Sequence, residues 1–328
     1  MVLNRTSNQG ITIIIPTYNR SELLSVVVAT LQKQLQACDE ILLIIDPADN
    51  SNTIDSLKSI KHTLKLRIYL GKKNNNVSSL RNMGIRLSKN EYIAFLDDDC
   101  IPSPSYLECI RKIVLSSKSE EVFQGKCTNE LKGNTLYTAA FSNTVNFHNY
   151  YYRNSKKFIA APIQHLLAGN FFLKKSILQK YRISFNEIDF PTVGEQLDIS
   201  YKFQLKSIKL VNAPSVRVTH IKYEFGIKRL FTRNYLEGYV EKRLDYQYGA
   251  NQQVKQLFAR NIQNKAVSKL IKHIRYSIMV GENYLVILLV VAGYFAHFLG
   301  FIKALIEEHI GQLLRGLHLS QSSHLQSK

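Results

Sequence analysis

Three short runs, residues 11–15, 41–45 and 92–96, are almost wholly aliphatic or aromatic and show no apolar–polar alternation. A strand that is apolar on both sides must be covered on both sides, which in water means a sheet layered between helices. Each run stops abruptly. Pro16, Thr17, Tyr18 and Asn19 follow the first, Asp46 and Pro47 the second, and Asp97, Asp98 and Asp99 the third. Helix-length stretches lie at 21–35, 51–60 and 76–88, with Ser21 placed to cap the first, and a further strand is expected at 66–70. Such alternation predicts an α/β fold with a mainly parallel central sheet flanked by helices. Ligands of such sheets bind beyond the carboxyl ends of the strands, so the three polar turns are expected to meet at one edge.

The chain has 328 residues, 45% of them hydrophobic, which suits one large domain with an appendage. The expected division is 1–245 for the α/β domain and 246–328 for a helical C-terminal region. Lys and Arg number 43 against 25 Asp and Glu, a formal charge of +18, which suits nucleic acid, an anionic membrane or phosphate-bearing substrates. Cys38, Cys100, Cys109 and Cys127 form no CxxC pair and share no spacing with a histidine cluster. That argues against a zinc site or disulfide framework and for a reducing compartment. The first ten residues are polar and do not read as a signal peptide, so the catalytic part is expected in the cytoplasm.

Three consecutive aspartates at a strand end raise one another's pKa unless something neutralises them. A divalent cation does so, and hard carboxylate oxygens suit Mg2+ or Mn2+ held jointly with substrate phosphates. In an extended segment Asp97 and Asp99 share a face and Asp98 takes the other. The competing reading is a solvated acidic loop, but the run directly follows a buried strand.

Six segments, in order, resemble the motifs of family-2 glycosyltransferases. They are TIIIPTYNR at 12–20, EILLIID at 40–46, SLRNMGI at 79–85, YIAFLDDD at 92–99, AGN at 168–170 and GE at 194–195. The resemblance covers 12 to about 243. It implies a GT-A fold and an inverting transfer of sugar from a nucleotide-diphosphate donor, by family habit a UDP-sugar. The acceptor would be a hydroxyl of a glycan or lipid-linked glycan, in cell-surface polysaccharide synthesis. Carried over, Pro16, Thr17 and Tyr18 would line the nucleoside pocket and Asp46 would accept from the base. Arg81 would face base or phosphates, Asp97 ribose or metal, and Asp98 belongs with the donor-binding set. Asp99 would be the chief metal ligand and His220 a third, and Gly169 and Asn170 would shape the sugar or acceptor side. The sequence departs from the family at Gln196, which stands where the base Asp is usual. Glu195 is then the nearest general base and Asp198 the next. Without the resemblance, Arg81 reads as a helix-surface cation, Glu195 and Asp198 as charges at a helix N-terminus, and His220 as a surface residue.

Residues 283–302 carry no Asp, Glu, Lys or Arg and match the length of a bilayer-spanning helix, with Lys265, Lys269, Lys272 and Arg275 before them. A buried hairpin or an interfacial helix fits the same stretch. The expected setting is the cytoplasmic face of a membrane, and the basic segment at 228–243 suits a membrane or phosphate-bearing lipid better than nucleic acid. The rival function is a non-catalytic nucleotide-sugar binding or scaffold protein of the same fold. A nucleotidyltransferase would want a Gly-rich phosphate loop after the first strand, which is absent.

Overall fold

The computed structural model describes residues 10–49, 53, 65–72, 76–117, 121–133, 135–148, 165–166, 169–222, 226–249 and 266–325. The helix expected at 51–60 lies, but for Thr53, outside them. In chain order the first elements are β1 (Ile11–Thr17), α1 (Ser21–Gln32), β2 (Glu40–Ile45), β3 (Leu66–Leu70), α2 (Val77–Leu87), β4 (Tyr92–Leu96), β5 (Cys100–Pro102) and α3 (Tyr106–Ser116). Then come β6 (Glu121–Leu131), α4 (Leu136–His148), β7 (Asn170–Lys174), α5 (Lys175–Lys180), α6 (Glu195–Leu205) and β8 (Lys209–Lys222). The last are α7 (Ile227–Tyr248), α8 (Ala266–Met279) and α9 (Tyr284–Leu325).

The eight strands among the described residues form one sheet in the order β3-β2-β1-β4-β7-β6-β8-β5. From β3 to β4 all neighbours are parallel, as the apolar runs predict. Beyond β4 the sheet is mixed: β7 is antiparallel to β4 and β6, β6 and β8 are parallel, and β5 is antiparallel to β8. Alternate side chains of the central strands enter two different cores. Ile13, Ile15, Leu43 and Ala94 meet Leu24, Val28 and Leu31 of α1 and Tyr106 and Ile110 of α3. Ile14, Ile93 and Phe95 meet Phe171, Ile177, Ile199 and Phe203 on the other face. Ser21 does not cap α1; Arg20 holds the N-cap position and Ser21 is the first helical residue.

Helix α2 starts with a reciprocal pair of bonds, Asn76 Oδ1 from the Ser79 amide and Ser79 Oγ from the Asn76 amide. It then lies tight on β1, where a Cβ on Gly84 would stand 2.4 Å from Ile14 Cγ2. The pairing of β6 with β8 is interrupted once: Gly125 faces Ala213, but Lys126 faces Arg217, so residues 214–216 of β8 bulge out. Asn170, fully buried, ties this bulge down by donating from Nδ2 to the carbonyls of Lys126 (3.1 Å) and Val216 (3.2 Å). Gly125 leaves the room for that amide, since a Cβ there would sit 2.3 Å from Asn170 Nδ2.

The chain divides into two units, 1–132 with 156–223, and 133–155 with 224–328. The first holds the sheet. The second is helical, and the boundary expected after 245 falls inside α7, which belongs whole to the second unit. There α7 and α9 pack backbone to backbone. A Cβ on Gly238 would meet the His297 carbonyl oxygen at 1.9 Å, and one on Gly300 the Tyr235 carbonyl oxygen at 1.9 Å. His297 pairs with Glu241 at 3.0 Å, and Tyr239 donates to Glu307 at 2.7 Å. The helix foreseen at 283–302 continues to Leu325, and its part Tyr284–Ile310, 27 residues, is long and apolar enough to cross a membrane.

Gly84→Ala should lower stability by about 1–3 kcal/mol from overpacking against Ile14, despite the ~1 kcal/mol that Ala gains over Gly in a helix. Urea unfolding measures it, and an unchanged or raised midpoint would show that Ile14 gives way freely.

Candidate active site

The carboxyl ends of β1, β2 and β4 lie side by side, with Thr17 opposite Ile45 and the Asp46 amide donating to the Thr17 carbonyl at 3.0 Å. Pro16 and Thr17 are buried, Tyr18 is exposed, and Asp46 is half-buried with Oδ1 accepting from the Ala48 amide at 2.9 Å. The aspartate run follows at the end of β4. Gly169 faces it from the start of β7 in a left-handed conformation (φ 85°), and a Cβ there would lie 2.6 Å from Asp97 Oδ2. Glycine is the residue that accepts both demands.

Arg81 is the centre of the arrangement. It extends from α2, fully buried, and donates to Asp97 Oδ1 at 2.8 Å and to Glu195 Oε1 at 2.9 Å. Its guanidinium also lies over the Phe185 ring, 5.5 Å from the centroid. Burial alone would lower its pKa, but the charges of Asp97 and Glu195 outweigh that and raise it. The surface-cation reading of Arg81 is therefore excluded. Its neighbour Asn82 fixes the loop that leads to Glu195: Nδ2 donates to the Phe185 carbonyl at 2.9 Å, and Oδ1 accepts from the Phe185 amide at 3.0 Å. Ser78 adds a bond to the Phe190 carbonyl at 2.7 Å. One helix thus holds Asp97 and the chain before α6 in register.

Glu195 opens α6 behind Gly194, whose φ of 85° makes the turn. It is buried, and burial raises its pKa against the opposing charge of Arg81. The Gln196 amide, turned so that its nitrogen faces acceptors, donates to Glu195 Oε1 at 2.9 Å. Asp198 is fully buried and ion-paired with Lys202 Nζ at 2.7 Å, one turn along the same helix.

The other two aspartates answer to a second arginine. Asp98 accepts from Thr17 Oγ1 at 2.8 Å, the Tyr18 amide at 3.3 Å and Arg20 at 3.1 Å. It does not point away idly; it ties the β1 turn to the β4 end. Burial pushes its carboxyl up to about 6 in spite of Arg20. Asp99 takes hydrogen bonds from Arg20 and from His220 Nε2, the latter at 3.1 Å. Burial would raise its pKa, yet those two partners bring it below the usual carboxylate range. Burial would lower His220, but its bonds to Asp99 and Cys127 and the charge of Asp99 hold it up at about 9. His220 reaches Asp99 because the Ile221 amide donates to the Asp99 carbonyl at 2.8 Å across the β5–β8 edge. Sequence reading singled out neither Arg20 nor Asn82, although each ends or continues a motif already noted, TIIIPTYNR and SLRNMGI.

A family model described as Glycosyl transferase family 2 matches residues 12–182, more than half of the chain. The chain belongs to glycosyl transferase family 2. Among its relatives, the poly(ribitol-phosphate) beta-N-acetylglucosaminyltransferase TarP of Staphylococcus aureus is 27% identical over 205 residues, 61% of this chain and 59% of TarP. Chondroitin synthase of Escherichia coli is 28% identical over 107 residues, 32% of this chain and 16% of that protein. The minor teichoic acid biosynthesis protein GgaB of Bacillus subtilis is 29% identical over 119 residues, 35% of this chain and 13% of that protein. The chain thus spans less than two thirds of the length of each of these relatives.

Members of the family commonly use a divalent metal, and the donor set here fits one. Carboxylate oxygens of Asp97 and Asp99 lie within 4.8 Å of each other, hard donors of the kind Mg2+ and Mn2+ take, and Gly169 keeps the outer oxygen of Asp97 uncrowded.

Two outcomes follow. Arg81→Met, which strands the buried Glu195 and the half-buried Asp97, should cost about 3–5 kcal/mol in urea unfolding at neutral pH. For Asp98 the folded protein holds its proton to higher pH than the unfolded chain, so its contribution to stability falls as pH rises from about 4 to about 6. The urea midpoint of Asp98→Asn should therefore gain on that of the parent across this window; a constant difference would contradict the shift.

Proposed function

We propose that the protein is an inverting, metal-dependent glycosyltransferase that moves a sugar from a nucleotide-diphosphate donor, a UDP-sugar, to a hydroxyl of a glycan or lipid-linked acceptor. The single observation that carries this reading is the Arg81 bridge. One buried guanidinium lies 2.8 Å from Asp97, on the donor side, and 2.9 Å from Glu195, the candidate base. Donor anchoring and proton removal are thereby held at a fixed separation, as proximity catalysis requires.

Pro16, Thr17 and Tyr18 would line the nucleoside, with Asp46 reading the base. Asp97, Asp99 and His220 would hold Mn2+ or Mg2+, which when bound supplies positive charge for the departing diphosphate. Asp98 serves the donor indirectly, by fixing Thr17, Tyr18 and Arg20. Glu195 takes the proton of the acceptor hydroxyl; its raised pKa favours that role, and Gln196 supports its carboxylate instead of replacing it. Asp198, committed to Lys202, becomes the weaker candidate.

The acceptor is read as a cell-surface polysaccharide; TarP is named for poly(ribitol-phosphate) and GgaB for teichoic acid biosynthesis, and the formal charge of +18 here suits an acceptor that carries phosphates. Membrane attachment through α9 completes the proposal, with the catalytic unit on the cytoplasmic face. The α9 face with Val286, Val290, Ala296 and Ala304 is buried, while Leu288, Phe295, Phe298 and Ile306 are exposed, an apolar surface suited to lipid. A second reading, a donor-binding protein without turnover, is favoured by the ion pair that occupies Glu195.

Thermal shift with Mn2+ and a panel of nucleotide-sugars, followed by UDP release with acceptors, tests the proposal. Asp99→Ala should abolish the Mn2+-dependent shift. Glu195→Gln should keep the shift and lose turnover by about 10²–10⁴-fold. Full turnover in Glu195→Gln removes the base assignment, and donor binding with no turnover on any acceptor supports the second reading.

A further inference from the structure

Cys100, Cys127 and His220 stand far apart in sequence and belong to three strands, β5, β6 and β8. The sheet makes them neighbours. Cys100 is directly opposite His220 across β5–β8, and Cys127 is opposite Val218, two residues before His220 and hence on the same face. One sulfur or nitrogen atom of each lies within 4.8 Å of the others. Neither thiol is in a disulfide; Cys100 is fully buried, while Cys127 and His220 are half-buried.

We propose that Cys100, Cys127 and His220 form a binding site for a thiophilic divalent cation of the zinc class. Two thiolates and an imidazole are the donors that zinc prefers and magnesium and manganese do not. Three protein donors leave the fourth tetrahedral position to water or to Asp99, whose Oδ2 is 3.1 Å from His220 Nε2. Binding forms two metal–sulfur bonds, and each thiol releases its proton to solvent. The three donors come from paired strands of one sheet, so little ordering remains to be done when the ion arrives. No CxxC spacing marks these donors in the sequence, because it is the pairing of strands that brings them together.

The consequence is a contest for His220. An ion held by the thiols and a hard cation on Asp97 and Asp99 would both call on this one imidazole. The site itself stands whether or not the protein transfers sugar.

The experiment uses the full chain, reduced and metal-free, titrated anaerobically with Co2+ in excess Mg2+ to fill hard carboxylate sites. The expected result is an intense thiolate-to-cobalt charge-transfer band in the near ultraviolet with tetrahedral visible bands, saturating at one equivalent and erased by one equivalent of Zn2+. Cys127→Ser, at a half-buried position, should lose the band and weaken zinc in a chelator competition by more than about tenfold, and Cys109→Ser should change neither. Circular dichroism confirms that Cys127→Ser is folded; if it is not, His220→Ala takes its place with the same expectation. No charge-transfer band, or one that survives in the Cys127 and His220 variants, overturns the proposal. Weak octahedral bands alone would place cobalt on carboxylates and overturn it equally.

Discussion

A single buried cation organises the catalytic unit. Arg81 on α2 is enclosed by protein, and removing a guanidinium from water is tolerable only with anionic partners and good geometry. Asp97 and Glu195 supply both, from the end of a parallel strand and from the start of a helix 114 residues beyond Arg81. Through these two bonds Arg81 ties the strand end to the helix start. The bonds of Asn82 and Ser78 to the Phe185–Phe190 loop come from the same helix and point the same way.

Charge is managed at the sheet edge by dividing the acids between two arginines. Arg81 serves Asp97, while Arg20 serves Asp98 and Asp99 with help from His220. The opposite protonation tendencies of Asp98 and Asp99 follow from this division. Asp98 has no imidazolium beside it, and burial keeps its proton on to higher pH; Asp99, equally buried, gains the His220 imidazolium and stays ionised.

The parallel half of the sheet was legible in the sequence because strands covered on both faces leave unbroken apolar runs, as 11–15, 41–45 and 92–96 do. The mixed half was not. Along β8 buried Leu210 and Ala213 enter opposite cores, and a bulge then breaks the period of two before Val216 and Val218. The acidic run announced itself by composition. The burial of Arg81 did not, because a lone arginine in a helix carries no sign of which face it takes. The membership of α7 in the helical unit was likewise hidden: Gly238 and Gly300 are unremarkable letters until two backbones need to touch.

The bulge at 214–216 sets a parity. In a strand the side-chain period is two, so an odd number of extra residues exchanges the faces of everything downstream. Here three residues of β8 are passed over, and Val218 returns to the same core as Ala213, five positions earlier. His220 shares the parity of Val218. Its presence beside Asp99 thus depends on the register that the pairing resumes after the bulge, which the Asn170 amide clasps. A residue added or deleted there is harmless while the bulge absorbs it; if instead the pairing beyond the bulge slips by one position, the imidazole turns to the opposite side of the sheet.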